Sequence, residues 1–93
     1  MEVVVLPGLD GTTVLLAPFL AALQGRGVPA SAVGYPGDRP LDYDALEPLV
    51  RAQLPRTPFV LLGESFSGPL AIRIAADPPP GLRGLVLSTT FAR

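Results

Sequence analysis

The sequence predicts an α/β fold of three layers, with about four parallel strands and helices on both faces of the sheet. Short apolar, β-branched runs alternate with segments whose apolar residues recur at helical spacing. Turns rich in glycine and proline separate these segments. Such alternation is typical of right-handed β-α-β units, which build a mostly parallel sheet.

The first part of the chain predicts two strands with a helix between them. Residues 3–6 form a short apolar run, as expected of a strand buried on both faces of a sheet. Apolar residues at helical spacing predict a helix through 15–23, with Gly25 and Gly27 as stop signals. A second strand is predicted around 30–34, before a turn-rich segment.

The later part predicts two more helices and two more strands. Asp42 is placed to cap a helix that contains Pro48, a residue expected to kink or restart it. A third buried strand is predicted at 59–62, followed by a helix through 69–76. The fourth strand is predicted at 84–88.

Composition narrows the function classes. The chain has 93 residues, 48% of them hydrophobic, and a net charge of −1, which predicts one small packed domain. Its seven cations are all arginines and are scattered along the chain, so we expect no nucleic-acid partner. The sequence has no cysteine and no histidine, so we expect neither a metal nor a cofactor. Without a signal peptide or a membrane-span run, we expect a soluble cytoplasmic protein.

The strongest chemical signal is the segment Gly63-Glu64-Ser65-Phe66-Ser67-Gly68, which lies between the third strand and the third helix. A serine on a sharp strand-to-helix turn is typical of a nucleophile elbow, in which the residues two before and two after must be small. Gly63 and Ser67 meet that condition, although the usual second residue is glycine. The alternative is that Ser65 and Ser67 only cap the helix.

The loop after the first predicted strand fits the same chemistry as the turn at Ser65. Residues 7–12 follow the first strand, and their glycines leave the backbone accessible for donating an N–H to an oxyanion hole. The alternatives for this loop are a phosphate cradle or a plain turn. Asp10 fits a role in bracing the loop better than a catalytic one.

Together these segments resemble a compact bacterial α/β-hydrolase, over nearly all of the chain. The segments that carry the resemblance are Leu6-Pro7-Gly8-Leu9-Asp10-Gly11-Thr12, Tyr35-Pro36-Gly37-Asp38 and residues 63–71. The resemblance implies that residues 1–93 form a single partial domain, the N-terminal half of the family fold. It also implies that Ser65 is the nucleophile and that the backbone N–H groups of Phe66 and Leu9 donate to the oxyanion, with Asp10 as the fallback for Leu9.

A serine hydroxyl needs a base, usually histidine and sometimes lysine, and the sequence contains neither. Glu64 should project away from Ser65 along an extended segment. Asp77 should lie at the wrong end of the sheet. The resemblance therefore predicts a serine hydrolase that acts on a small-molecule acyl substrate, either an ester, a thioester or an amide. Its triad acid and histidine are expected to lie outside these residues, so that the chain alone is nearly inactive.

An alternative function is a non-catalytic binding or assembly module of the same fold. The fourth strand should present an unpaired apolar edge at 85–87. Such an edge invites pairing with another chain, either a second copy or a complementing polypeptide. The alternative predicts binding or association that does not depend on Ser65.

Overall fold

The structure, a computed structural model, describes residues 1–7, 17–35 and 42–88. Within these ranges strands and helices alternate along the chain. The strands are β1 (Glu2–Leu6), β2 (Ala30–Ala32), β3 (Phe59–Glu64) and β4 (Leu82–Ser88), and the helices are α1 (Ala17–Gly25), α2 (Tyr43–Arg51) and α3 (Gly68–Ala76). The predicted β-α-β-α-β-α-β order is confirmed.

The four strands form one parallel sheet in the order β2-β1-β3-β4. Helices α2 and α3 contact each other, and α1 contacts β2. Right-handed crossovers should place α1 on the face opposite α2 and α3, because the connection from β1 to β2 runs the other way across the sheet. The predicted α/β class with a parallel sheet is confirmed.

The end of α1 follows the predicted stop signals. Gly27 has a φ of 80°, the left-handed conformation that glycine adopts at little cost. The N–H of Val28 donates to the carbonyl of Leu23, and the N–H of Gly27 donates to that of Gln24. These two bonds form a Schellman motif, which ends the helix.

Helix α2 begins as predicted but does not restart at Pro48. The Asp42 carboxylate accepts a 2.9 Å hydrogen bond from the N–H of Ala45, which confirms the predicted cap. The helix continues past Pro48 to Arg51, so the expected restart is wrong. A proline inside a helix costs about 3 kcal/mol. Burial of Leu46 and Val50 on the same helix contributes about 2 kcal/mol each, which offsets that cost.

The main core lies between the sheet and the pair α2 and α3. Its buried side chains come from β1, β3, α2 and α3, with one residue after β2, whereas α1 contributes none. The core residues are Val4, Leu6, Val33, Leu46, Val50, Phe59, Leu61, Leu70, Ala71 and Ile74. The core therefore fixes β3 and α3, the two elements that flank Ser65.

An ion-pair cluster also joins α2 to α3. Arg73 contacts the carboxylates of Asp44 at 2.5 Å and Glu47 at 3.3 Å, and Arg51 contacts Glu47 at 2.9 Å. Ion pairs that remain open to solvent add little to stability, because water and salt screen them. The buried apolar contacts between the two helices and the sheet therefore hold this side of the molecule together.

The two edges of the sheet differ. The edge strand β2 has three residues, whereas β4 has seven and exposes Leu85, Val86 and Leu87 by 37%, 45% and 49%. The predicted apolar edge at 85–87 is therefore present in the part of the chain that the structure describes. Among the helices described, none is long and apolar enough to cross a bilayer.

Candidate active site

The candidate site lies at the edge of the sheet where all four strands end. Parallel pairing aligns Leu6 of β1 with Gly63 of β3, and Gly63 with Leu87 of β4. Segments that follow the strands therefore emerge side by side. In open α/β sheets this is the edge at which ligands bind.

The position along this edge that is best suited to binding a ligand lies between β1 and β3. The chain leaves β1 towards β2 on one side, and it leaves β3 towards β4 on the other. The strand order thus reverses between two neighbouring strands, which opens a crevice beyond their carboxyl ends. The turn that begins at Ser65 lies on one side of this crevice, and Pro7, the residue that follows β1, lies on the other.

The strand-turn-helix context predicted for Ser65 is confirmed. β3 ends at Glu64, Ser65–Ser67 form a 3₁₀ turn, and α3 begins at Gly68. Ser65 is thus the first residue of the turn, while its side chain lies outside what the structure describes.

Gly63 is needed for space in this turn. A Cβ at Gly63 would lie 2.7 Å from the Cβ of Ala71 and 2.9 Å from the carbonyl oxygen of Ser67. Real Cβ atoms do not make contacts this short. The strand and the helix therefore approach as closely as the predicted elbow requires, and they do so because residue 63 has no side chain.

Phe66, one predicted oxyanion donor, is the second residue of the turn. Backbone N–H groups in the first turn of a helix have no partner within the helix, and they carry the positive end of its dipole. The Phe66 ring lies 5.2 Å from that of Tyr43, and its carbonyl accepts a 2.6 Å hydrogen bond from the Tyr43 hydroxyl. Leu9 and its fallback Asp10, the other predicted donors, lie outside the described residues.

The buried Ser67 links two segments that are distant in sequence. Its side chain is fully buried, and its hydroxyl donates to the carbonyl of Pro7 at the end of β1. The hydroxyl of Tyr35, beyond β2, lies 2.5 Å from the same oxygen. Ser67 occupies the N-cap position of α3 but makes no capping bond with its side chain. The capping interpretation is therefore wrong for Ser67.

Tyr35 keeps its proton at neutral pH. Burial of the side chain raises the pKa of Tyr35 to about 12, since the charged phenolate is poorly solvated there. A tyrosine that holds its proton this tightly cannot replace the missing histidine as a general base. Its hydroxyl is available as a hydrogen-bond donor instead.

The two carboxylates considered as triad members lie in different places. Glu64 is 7% exposed, at the carboxyl end of β3, with Ser88 as its cross-strand neighbour. Asp77 follows α3, and its N–H bonds the carbonyl of Ile74. Because α3 runs back from the site, Asp77 lies at the opposite edge of the sheet, as predicted. No cluster of three or more metal-ligating side chains occurs in residues 1–7, 17–35 and 42–88.

An open groove lies at the opposite edge, where the strands begin. It has a volume of about 460 Å³ and is lined mostly by apolar atoms of Met1, Glu2, Pro29, Thr57 and Pro58. Its one carboxylate, Glu2, accepts a hydrogen bond from the Ser31 hydroxyl. The polar side chains in its lining are those of Glu2 and Thr57, so the opposite edge is the stronger candidate for a catalytic site.

The sequence did not identify the tyrosines. Tyr35 stands out in the sequence only as part of the Tyr35-Pro36-Gly37-Asp38 segment, and no sequence pattern points to Tyr43. The available signal was the position of Tyr35, just beyond a strand and therefore at the carboxyl edge.

Comparison of the chain with family models, with curated proteins and with solved structures finds no match in any of the three.

Proposed function

We propose that the chain is the nucleophile-bearing part of a serine hydrolase of the α/β-hydrolase type. The observation that carries the proposal is the tight turn at Ser65, between a buried strand and a helix that Gly63 allows to approach closely. The position beside the β1/β3 crevice supports it, because a substrate entering there would meet the turn.

The reaction would be acyl transfer to Ser65. The Ser65 oxygen bonds to the acyl carbon of an ester, thioester or amide while a base takes the hydroxyl proton. The N–H groups of Phe66 and Leu9 stabilise the oxyanion, and the leaving group departs with a proton as an alcohol, thiol or amine. Water then cleaves the acyl-enzyme to give a carboxylic acid and free Ser65.

The base has to come from outside these 93 residues, because they contain neither histidine nor lysine. This requirement suggests an experiment in which a small molecule supplies it. Imidazole is the side-chain base of histidine, and in solution it can take the Ser65 proton during attack on an activated ester.

With 4-nitrophenyl acetate and imidazole, the protein should become acetylated on Ser65. The acetyl group should accumulate because 4-nitrophenolate is a much better leaving group than the serine alkoxide, so acylation is faster than deacylation. Trypsin cleavage after Arg56 and Arg73 gives a peptide of residues 57–73, in which fragmentation distinguishes Ser65 from Ser67. Ser65→Ala should abolish the modification. Acetylation of Ser67 instead, or equal labelling of Ser65→Ala, would contradict the proposal.

A second candidate function is a binding or assembly module that uses the edge of β4. The three consecutive apolar residues exposed there favour it, because an uncovered apolar edge is a template for another strand. The partner would be a second copy of the chain or a complementing polypeptide. This function does not require Ser65.

If β4 mediates self-association, the wild type should sediment as a concentration-dependent assembly and Val86→Lys should shift it towards the monomer. A lysine on an edge strand disfavours pairing with another strand. Leu49→Lys is the matched control, since Leu49 is 39% exposed on α2, away from the edge. Analytical ultracentrifugation measures the effect. A wild type that stays monomeric at all concentrations would remove the support for self-association.

A further inference from the structure

Three segments distant in sequence meet at the hydroxyl of Ser67. It donates to the carbonyl of Pro7 and lies 2.5 Å from the hydroxyl of Tyr35. A serine hydroxyl has one proton, and the carbonyl of Pro7 can only accept. Because that proton goes to Pro7, Tyr35 must donate in the other bond. The hydrogen bonds therefore run in one direction, from Tyr35 through Ser67 to Pro7.

Phe66, the residue before Ser67 in the turn, is held from another side. The Tyr43 hydroxyl donates to the carbonyl of Phe66, and the Tyr43 ring packs on the Phe66 ring. The turn that begins at Ser65 is thus tied to the end of β1, to the segment after β2 and to the start of α2. These are the elements that surround the β1/β3 crevice.

Among the described residues, the hydroxyl of Ser67 makes no hydrogen bond other than these two. The turn requires only a small residue at this position, which glycine would also provide. Helix α3 does not use the hydroxyl as a cap. Burial of a hydroxyl is favourable only when it is hydrogen-bonded, and both bonds here join separate parts of the site.

We infer that Ser67 is a positioning residue: held between Tyr35 and Pro7, its hydroxyl fixes the end of β1 against the turn that carries Ser65 and the N–H of Phe66. The inference rests on the proposed function, since this spacing matters for catalysis only if Ser65 attacks a substrate. Tyr35 acts in the same way through Ser67 and does not touch the substrate.

The test compares Ser67→Ala, Tyr35→Phe, the double variant and the control Ser31→Ala, all at a temperature at which circular dichroism shows them folded. Ser31 also donates a side-chain hydrogen bond, but to Glu2 at the amino ends of the strands. The first readout is the rate of Ser65 acetylation in imidazole. The second is the NMR shifts of the Pro7 carbonyl carbon and the Phe66 amide.

Ser67→Ala and Tyr35→Phe should each slow acetylation about 10-fold, since small displacements of reacting groups have effects of this size. The double variant should be no slower than the slower single variant, because both changes break one chain of bonds. The Pro7 and Phe66 resonances should shift in both single variants and stay in place in Ser31→Ala. Wild-type acetylation with unshifted resonances in Ser67→Ala would overturn the inference.

The two proposals fail separately. If wild type is not acetylated on Ser65, the proposed function fails, and the NMR readout still decides the positioning role. Shifts at Pro7 in Tyr35→Phe then support it, because the change is transmitted through Ser67, and their absence overturns it. If Ser67→Ala does not fold, Tyr35→Phe carries both readouts, since it keeps the ring and removes only the hydroxyl.

Discussion

Gly63→Ala should lower the free energy of unfolding by about 3 kcal/mol, the upper part of the range for overpacking a core. The new methyl group would overlap the Cβ of Ala71 at 2.7 Å and the carbonyl oxygen of Ser67 at 2.9 Å. Both belong to the rigid strand-to-helix junction, and Ala71 is fully buried. The turn can relieve the overlap only by moving α3 away from β3.

The matched control is Gly68→Ala, five residues further along. A Cβ at Gly68 would have no atom within 4 Å, and Gly68 is the first residue of α3. Stability should therefore change by less than about 1 kcal/mol, with a slight increase expected from the smaller entropy of the unfolded chain. Equilibrium unfolding in urea measures both variants. Equal effects at the two positions would show that the close contact at Gly63 does not limit stability.

The same substitution should affect the proposed chemistry. Where Gly63→Ala remains folded, displacement of α3 moves Ser65 and the Phe66 N–H together relative to β1. The acetylation rate of Ser65 should then fall, because Ser65 and the Phe66 N–H are no longer aligned with the end of β1. Gly63 thus connects the packing of the turn to its proposed function.

The sequence was informative where the determinant is local. The hydrophobic run of β3, the glycine at 63 and the helix signals after Ser65 lie within one short stretch, so they predict the turn without knowledge of the rest of the fold. The cap at Asp42 and the stop at Gly27 were predictable for the same reason. In each case one or two neighbouring residues decide the backbone geometry.

The sequence was not informative where the determinant is a contact across the sheet. The sequence indicates only that Ser67 is small and precedes a helix. In the structure its hydroxyl bonds Pro7 and Tyr35, which are 60 and 32 residues away. The pairing of β1 with β3 and of β2 with β1 brings these residues together, and no local pattern encodes it. The expected restart at Pro48 was wrong for a related reason, because burial of one face of α2 outweighs a local helix breaker.

Gly81 is another residue whose role depends on a contact across the sheet and so could not be predicted from the local sequence. The sequence indicates only that Gly81 belongs to the proline-rich stretch 77–81, which ends the third helix. In the structure its carbonyl accepts a 2.9 Å hydrogen bond from the N–H of Phe59, which joins β3 to the start of β4. A Cβ at Gly81 would overlap the carbonyl oxygen of Thr57 and lie 3.1 Å from the Phe59 ring. The position therefore requires glycine for space.

Gly81→Ala should lower the free energy of unfolding by about 3 kcal/mol, since the atoms it would meet are backbone and a fully buried ring. Gly84→Ala, three residues further along and within β4, is the matched control. Its Cβ would make an ordinary contact, 3.7 Å from Val60, and replacing a glycine within a strand should add up to about 1 kcal/mol. Urea unfolding again measures the pair, and a stability loss in Gly84→Ala as large as in Gly81→Ala would contradict the steric argument.

Comparison of the two destabilised variants separates stability from proposed function. Gly81 lies where the strands begin, and Gly63 lies where they end beside Ser65. Under conditions in which both variants are folded, Gly81→Ala should acetylate Ser65 at the wild-type rate, whereas Gly63→Ala should be slower. If both are equally slow, reactivity follows the stability of the whole sheet, and the local geometry of the turn is not what controls Ser65.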